Sequence, residues 1–261
     1  MPSLNFAPRV PVFDANIRVG DAPGVLSPSP TRADLLAELD RHGVGRAIIY
    51  HAQSELRSPS EGNGRLEEWI GEDGRLSPQW TIMPTAASIQ QIEDLHAAGR
   101  AQSVRLYDVR HAELPFPPAR LPFRPWAYGE MLDWLSAEGI PLWISLPDAD
   151  PDELVTTLQA FPNLVTVLVG AHYAHALLVR PILRALPNAY LELSRYEPIG
   201  ELEALRDEFG ARRLVYGSWY SRYSMGPMIF YLHETDFTDE ELTLVCAGNL
   251  ERILRGEGRH D

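Results

Sequence analysis

An uninterrupted apolar stretch, Val165-Thr-Val-Leu-Val169, shows the kind of strand from which this chain is built. A strand that is apolar at consecutive positions is typical of a parallel sheet with helices on both faces. The stretch is followed by an amphipathic segment, Leu177–Ala185, that predicts such a helix. Together the two segments predict one strand–helix unit of a parallel α/β fold.

The same alternation of β-rich and helical segments occurs eight times along the chain. The predicted strands are Pro11–Val19, Arg46–Ala52, Gln79–Thr85, Ser103–Val109, Ile140–Pro147, Val165–Ala171, Ala189–Ser194 and Arg213–Ser218. Further helices are predicted at Ile89–Ala98, Tyr128–Ala137, Glu201–Phe209 and Asp239–Leu254. A capping box at Thr31-Arg-Ala-Asp34 begins another helix that Gly43 ends, and Asp150-Pro-Asp-Glu begins one more.

Eight such units without a composition break predict an α/β fold of one domain, a (β/α)8 TIM barrel over residues 1–261. The first strand is not followed by Gly-x-Gly-x-x-Gly, which disfavours an open dinucleotide-binding sheet. In a barrel the functional site lies at the carboxyl ends of the strands and in the loops that follow them.

The composition removes several chemistries. All 23 basic residues of the 261 are arginine, so Schiff-base, pyridoxal-phosphate and Walker lysines are excluded. The net charge of −13 argues against nucleic acid and anionic membranes as partners. Cys246 is the sole cysteine, which excludes intrachain disulfides and thiolate metal clusters. The start, MPSLNFAPRV, lacks a signal-peptide core, so a cytoplasmic location is expected.

Polar and aromatic side chains stand at the predicted strand ends. They are Asp14, Asn16, Arg18, His51, Arg105, Tyr107, Ser145, His172, Glu192, Ser194 and Trp219. Two loops could cover a pocket for a planar or apolar ligand: Leu114–Trp126, with five prolines, and the aromatic Ser218–Met225. The alternative is a packed lid without a ligand.

Several segments, in order and spacing, resemble the amidohydrolase-related family. They are Val12-Phe-Asp-Ala-Asn-Ile-Arg18, Leu35–Tyr50, Gly139-Ile-Pro-Leu-Trp-Ile144, Phe161-Pro-Asn-Leu, Leu186-Pro-Asn-Ala-Tyr190, Leu214-Val-Tyr-Gly-Ser218 and Asn249-Leu-Glu-Arg-Ile-Leu254. The family includes metal-dependent barrel hydrolases and aminocarboxymuconate-semialdehyde decarboxylase. The resemblance implies a barrel enzyme with a divalent metal held by histidines and carboxylates.

The family's metal ligands do not carry over. Its first-strand His-x-His corresponds to Asn16 and Arg18, and a guanidinium has no lone pair to offer a metal. The fifth-strand histidine corresponds to Ser145, and the eighth-strand aspartate to Trp219. The sixth-strand histidine corresponds to Gly170, although His172 would replace it if the strand slipped by two residues. The residues at these positions predict a barrel without a metal or other cofactor.

The arginines at the strand ends allow two interpretations. In the first, Arg18 pairs with Asp14 or Glu192 and fills the space that the metal occupies in the family. In the second, Arg18 and Arg105 together bind a carboxylate or phosphate of a ligand. Asn16, Tyr107, Ser145 and Trp219 complete the expected substrate-binding set, in which Trp219 is a plug or a stacking surface.

The histidines and Glu192 are the catalytic candidates. His51 and His172 could act as general acid or base near neutral pH, although structural roles are commoner. Ser145, His172 and Glu192 could form a nucleophilic triad, but no nucleophile-elbow motif supports it.

Three functional hypotheses follow. The first is a hydrolase or decarboxylase that acts on a small carboxylate without a metal. The second is an inactive barrel that binds a small anionic molecule or a partner subunit. The third is a slipped alignment with one metal held by His172 and Asp14. The family's tendency to dimerise leaves a homodimer open.

Overall fold

The computed structural model describes residues 6–21, 29–107 and 121–260 and contains nine short parallel strands. They are β1 (Phe13–Val19), β2 (Arg46–His51), β3 (Leu76–Pro78), β4 (Trp80–Ile82), β5 (Val104–Leu106), β6 (Leu142–Ser145), β7 (Thr166–Val169), β8 (Ala189–Glu192) and β9 (Leu214–Val215). They form two sheets, ordered β1-β2-β3 and β4-β5-β6-β7-β8-β9.

Backbone hydrogen bonds join the two sheets. Only Gln79 separates β3 from β4, and its N–H donates to Ile49 O of β2 at 2.8 Å. On the other side Ala15 N of β1 donates to Tyr216 O, next to the end of β9, at 3.1 Å. The strands therefore follow one another around a barrel of eight positions, with β3 and β4 sharing one. This confirms the predicted fold class.

Helices cover the outside of the barrel. They are α1 (Arg32–His42), α2 (Gln53–Leu56), α3 (Pro59–Ile70), α4 (Ala86–Ala97), α5 (Pro125–Glu138), α6 (Pro151–Gln159), α7 (Ala176–Ala185), α8 (Glu201–Phe209), α9 (Gly226–Glu234), α10 (Asp239–Thr243) and α11 (Asn249–Leu254). Three of them, α2, α3 and α9, were not predicted, and a π-helical turn at Leu244–Gly248 interrupts the predicted last helix. Within the described ranges no helix is long and apolar enough to cross a bilayer.

The predicted helix ends have local causes. The Thr31 side chain accepts from Asp34 N at 3.2 Å while Thr31 N donates to the Asp34 carboxylate at 2.9 Å, so the capping box is present. Gly43 ends α1 with φ 67, a left-handed conformation that glycine adopts without strain. Residues 114–120 of the proline-rich loop lie outside the described residues, as do Asp108 and Val109 of the fourth predicted strand.

A shift of register in β1 places the polar strand-end residues inside the barrel. Between Asp14 and Ile17 the pairing with β2 shifts by one residue, as a β-bulge does. Strict alternation from the buried Phe13 would turn Asn16 toward the helices. After the shift Ile17 packs with the helix-covered core instead, and Asn16 faces the interior.

Candidate functional site

A chain of buried, hydrogen-bonded side chains crosses the barrel interior. Arg105 Nη2 donates to Asn16 Oδ1 at 2.7 Å, and Asn16 Nδ2 donates to Glu192 Oε2 at 3.1 Å. Arg105 Nε donates to Gln79 Oε1 at 3.0 Å. The Arg105 guanidinium carbon also lies 3.9 Å from the centroid of the Tyr50 ring. Side chains from opposite sides of the barrel are thereby held in one network.

Glu192 ends this network as a fully buried carboxyl group surrounded by donors. It accepts from Ser194 N at 2.8 Å and Ser194 Oγ at 3.0 Å, besides Asn16 and Gly170 N. Burial raises its pKa to about 7, although these hydrogen bonds favour the ionised form. Gly217 makes room for it, since a Cβ there would lie 2.1 Å from Glu192 Oε1. Near pH 7 this carboxyl is therefore divided between its two protonation states.

Asp14 is a second buried carboxyl group close to the first. Its Oδ1 accepts from Asn16 N at 2.9 Å and Ser218 N at 3.0 Å. Its Oδ2 is buried and has no hydrogen-bond partner in the described part of the chain. Burial raises the pKa of Asp14 to about 6, and its charge contributes to the raised pKa of Glu192. The two carboxyl groups are thus unable to be fully ionised together at mildly acidic pH.

Arg18 forms its ion pair with a residue that the sequence did not single out. Its Nη1 donates to Glu55 Oε2 at 3.0 Å, and Glu55 Oε1 accepts from Tyr50 OH at 2.8 Å. This corrects the predicted pairing with Asp14 or Glu192. The physical reason is position, because Glu55 stands on α2, directly after the strand that pairs with β1. The Nε of Arg18 is buried without a partner among the residues described.

Trp219 fills the interior of the mouth. Its indole Nε1 donates to Tyr50 OH at 2.9 Å, and the side chain is buried. The backbone of Trp219 has φ 51, which is uncommon for a residue other than glycine and costs on the order of 1–3 kcal/mol. A Cβ on Gly170 would lie 2.9 Å from Cζ3 of this indole. The ring therefore takes the space that a side chain at position 170 would need.

The triad of Ser145, His172 and Glu192 is not assembled. Ser145 Oγ donates to the carboxylate of Asp148 in a short hydrogen bond. His172 is half-buried and its Nδ1 accepts from Ala174 N at 3.5 Å. Within the residues described, no hydrogen bond joins Ser145 to His172 or His172 to Glu192. This arrangement gives no activated serine nucleophile.

His51 and Tyr107 occupy different surroundings. His51 Nδ1 accepts from Gln53 N at 3.2 Å, and the ring packs against Gly20, where a Cβ would lie 2.3 Å from Nε2. Burial lowers the pKa of His51, so the ring is neutral at pH 7. Tyr107 donates to Arg57 O at 3.4 Å and reaches the cavity described next.

A small cavity opens at the carboxyl ends of these strands. Among the described residues it is lined by Ser54, Glu55, Thr81, Arg105, Leu106, Tyr107, Ser145 and Trp219. Its volume is about 20 Å³, room for a water molecule, so an organic ligand must displace a side chain to enter. Thr81 Oγ1 is buried without a partner in the described part of the chain, and Arg105 Nη1 also makes no hydrogen bond there.

Sequence reasoning missed four residues of this site, and the signals for them were weak. Gln79 is the first residue of a predicted strand, and Tyr50 directly precedes the candidate residue His51. Thr81 resembles any threonine in a β-strand. Glu55 lies 37 residues from Arg18, and no pattern in the sequence links them.

The residues of the site do not fit the divalent metal that the resemblance implies. Within the described ranges no group of three or more histidine, cysteine, aspartate or glutamate side chains could hold a metal ion. The interior holds the Arg105 guanidinium instead, a fixed cation bonded to Asn16, and the indole of Trp219 covers Gly170. A metal held by His172 and Asp14 lacks a third ligand in the residues described.

Comparisons with known proteins place the fold. No protein-family model matches the chain, and no curated protein matches it. Several solved structures of TIM barrels are similar to it. An uncharacterised TIM-barrel protein from Bordetella bronchiseptica is 15% identical, with a TM-score of 0.70 over 96% of this chain and all of that one.

Two enzymes are among the similar structures. 5-Carboxyvanillate decarboxylase from Sphingomonas paucimobilis is 14% identical with a TM-score of 0.70, and 2,6-dihydroxybenzoate decarboxylase from Rhizobium is 10% identical with a TM-score of 0.74. Each of the two alignments covers 94% of this chain and 99% of the decarboxylase chain. The chain has the fold of the amidohydrolase-type TIM barrels, and at this level the predicted resemblance is confirmed.

Proposed function

We propose that this barrel binds a small organic carboxylate in the cavity at its mouth, with Arg105 as the charged donor. The observation that carries the proposal is the state of Arg105. It is buried, its Nε and Nη2 are held by Gln79 and Asn16, and its Nη1 has no partner within the described residues. A guanidinium fixed through two nitrogens and open at the third is prepared for an anion without loss of side-chain entropy.

The charge balance of the interior supports the same ligand. Arg18 and Arg105 bring two positive charges, and Glu55 brings one negative charge. Asp14 and Glu192 have pKa values of about 6 and 7, so at pH 6 Glu192 is largely protonated and Asp14 is about half protonated. The buried site then keeps an excess of positive charge, which a ligand carboxylate balances.

The similar structures support the ligand class. The two decarboxylases are named for carboxylate-bearing substrates. Since their likeness to this chain is one of fold, the support extends to the place of the site, at the mouth of the barrel. The homodimer and the cytoplasmic location stay predictions.

A metal-independent hydrolase or decarboxylase is the second candidate, because Glu192 favours it. A carboxyl group with a pKa of about 7 can give or take a proton at neutral pH, as a general acid or base must. Arg105 would act as the electrophile in place of a metal. Binding is the better-supported function because Glu192 is fully buried and bonded to Asn16, Ser194 and Gly170.

Titration calorimetry with benzoate at pH 6 tests the binding. Wild-type protein should bind, and Arg105→Met should bind at least tenfold more weakly, since a lost charge-assisted hydrogen bond is worth about 1.5–3 kcal/mol. Arg65→Met, a change of an exposed arginine on α3, serves as the matched control and should bind as the wild type does. Equal affinities in Arg105→Met and wild type would reject the role of Arg105.

The enzymatic candidate has its own measurement. Turnover of a panel of benzoate and hydroxybenzoate carboxylates, followed as released CO₂ in the presence of a chelator, should be undetectable if the barrel only binds. Turnover that persists with chelator and disappears in Glu192→Gln would establish the second candidate instead.

A further inference from the structure

Glu55 holds a carboxylate at the cavity where the proposed ligand binds. It extends from α2, a single helical turn, and its two oxygens are bound by different donors. Tyr50 OH donates to Oε1 at 2.8 Å and Arg18 Nη1 donates to Oε2 at 3.0 Å. Glu55 also lines the same cavity as Arg105. The mouth therefore contains two arginines, one occupied by a carboxylate of the chain itself and one open.

The contact between Arg18 and Glu55 is incomplete. Arg18 is buried and binds Glu55 through one nitrogen, Nη1, whereas its Nε has no partner in the described part of the chain. A guanidinium pairs best with a carboxylate through two parallel hydrogen bonds. A carboxylate free to orient itself can meet this requirement, whereas Glu55 is tethered to α2 and shared with Tyr50.

The backbone of α2 is held tightly, so Glu55 can leave only by rotation of its side chain. A Cβ on Gly62 of α3 would lie 2.1 Å from Ser54 Oγ and 2.3 Å from Ser54 N. The two helices are thus in direct backbone contact, which opposes movement of α2 as a unit. The Glu55 side chain itself is 17% exposed and has a path to solvent.

We propose that Glu55 occupies a second carboxylate subsite, formed by Arg18 and Tyr50, and so restricts the barrel to ligands with one carboxylate. This inference rests on the proposed function, in which the first carboxylate binds at Arg105. A ligand with two carboxylates must displace Glu55 and leave its charge in the mouth, whereas a monocarboxylate leaves the Arg18–Glu55 pair intact. Glu55 is on this account a specificity-determining residue.

The test compares benzoate with isophthalate, which differ by one carboxylate, in wild type and Glu55→Ala by titration calorimetry at pH 6. Wild type should bind benzoate more tightly than isophthalate. Glu55→Ala should bind isophthalate at least tenfold more tightly than wild type does, and the gain for benzoate should be clearly smaller, because benzoate has no second carboxylate for Arg18. Arg18→Met added to Glu55→Ala should abolish the gain. Glu61→Ala, an exposed position on α3, is the matched control and should leave both affinities unchanged.

Each result decides between the two proposals. Benzoate binding that depends on Arg105, with unchanged isophthalate affinity in Glu55→Ala, overturns the subsite and leaves the proposed function standing. Isophthalate binding in Glu55→Ala that needs Arg18 but not Arg105 supports the subsite and overturns the proposed role of Arg105. If neither protein binds either probe, both proposals fail. If Glu55→Ala proves unstable, Glu55→Gln keeps the side-chain volume and removes the charge, and it should show a gain for isophthalate in the same direction but smaller.

Discussion

Arginines are buried at both ends of this barrel, and they are satisfied in different ways. At the amino-terminal end, before β9, Arg213 donates to the backbone carbonyls of Ala189, Leu183 and Leu186 at 2.7, 3.1 and 2.8 Å. Burial lowers its pKa to about 10, so it stays charged at neutral pH. At the mouth, Arg18 and Arg105 donate to side chains instead, and Arg18 Nε is buried without a partner among the described residues.

The difference separates a structural arginine from a binding one. Backbone carbonyls cannot leave, so Arg213 permanently links Leu183 of α7 to Ala189 of β8. Side-chain partners such as Glu55 can rotate away, and an unpartnered nitrogen is a cost to the fold that a ligand removes. Buried charge by itself does not mark a functional site; hydrogen bonds to side chains that a ligand can replace do.

The largest expected effect is at the amino-terminal end. Arg213→Met removes three hydrogen bonds to buried carbonyls, of which Leu186 O keeps a bond from Ala189 N, and should lower the free energy of unfolding by about 4 kcal/mol. Urea unfolding measures this, with Arg212→Met, an exposed neighbour, as the control. A loss below about 1 kcal/mol would show that Arg213 contributes little to stability and is not a structural arginine.

The next effect is a pH dependence at the mouth. The pKa of Glu192 is about 7 in the folded protein against 4.5 in the unfolded chain, so the folded state binds more protons between these values and stability falls as pH rises through them. This contribution is on the order of 3 kcal/mol. Glu192→Gln should lack it and gain stability relative to wild type from pH 5 to pH 8. Unfolding in urea across this range measures it, and the exposed Glu234→Gln should follow wild type.

Arg105→Met should cost less than Arg213→Met. Its two hydrogen bonds run to the side chains of Gln79 and Asn16, which can find other partners or water, so a loss of about 2 kcal/mol is expected. The same urea experiment applies. A loss of unfolding free energy as large as that of Arg213→Met would show that Arg105 is primarily structural, as Arg213 is.

A substitution of Asp14 is expected to stabilise the protein, as Glu192→Gln does. The pKa of Asp14 is about 6 against an ordinary value of 3.8, and its Oδ2 has no partner within the described residues. At pH 8 the carboxylate is a buried charge that the fold opposes, so Asp14→Asn should stabilise the protein by on the order of 3 kcal/mol. Below about pH 4 the gain should vanish, because Asp14 is then protonated in the folded and in the unfolded protein. Thermal unfolding at the two pH values measures the difference.

The fold was predictable because its signals are local. Apolar runs such as Thr166–Val169 and helix ends such as Thr31 and Gly43 depend on residues close in sequence. The helices that were missed have weak local signals. In α3, PSEGNGRLEEWI, two glycines interrupt the pattern, and α9, GPMIFYLHE, is apolar on most of its surface.

The partners within the site were not predictable, because they depend on closure of the barrel. Arg105 meets Asn16 from a strand 89 residues away, and these strands are not neighbours in either sheet. The register shift in β1 that turns Asn16 inward leaves no mark in the sequence. The sequence therefore located polar residues at the strand ends, but it could not show which of their charges face one another.

The contact between Trp219 and Gly170 bears on how this barrel could change in evolution. A histidine at position 170 would collide with the indole, and an aspartate at position 219 without that histidine would remove the indole and its hydrogen bond to Tyr50 while adding a buried charge. Either single replacement is therefore expected to lower stability. Positions 170 and 219 are coupled through this contact, so a change at one is tolerated best together with a change at the other.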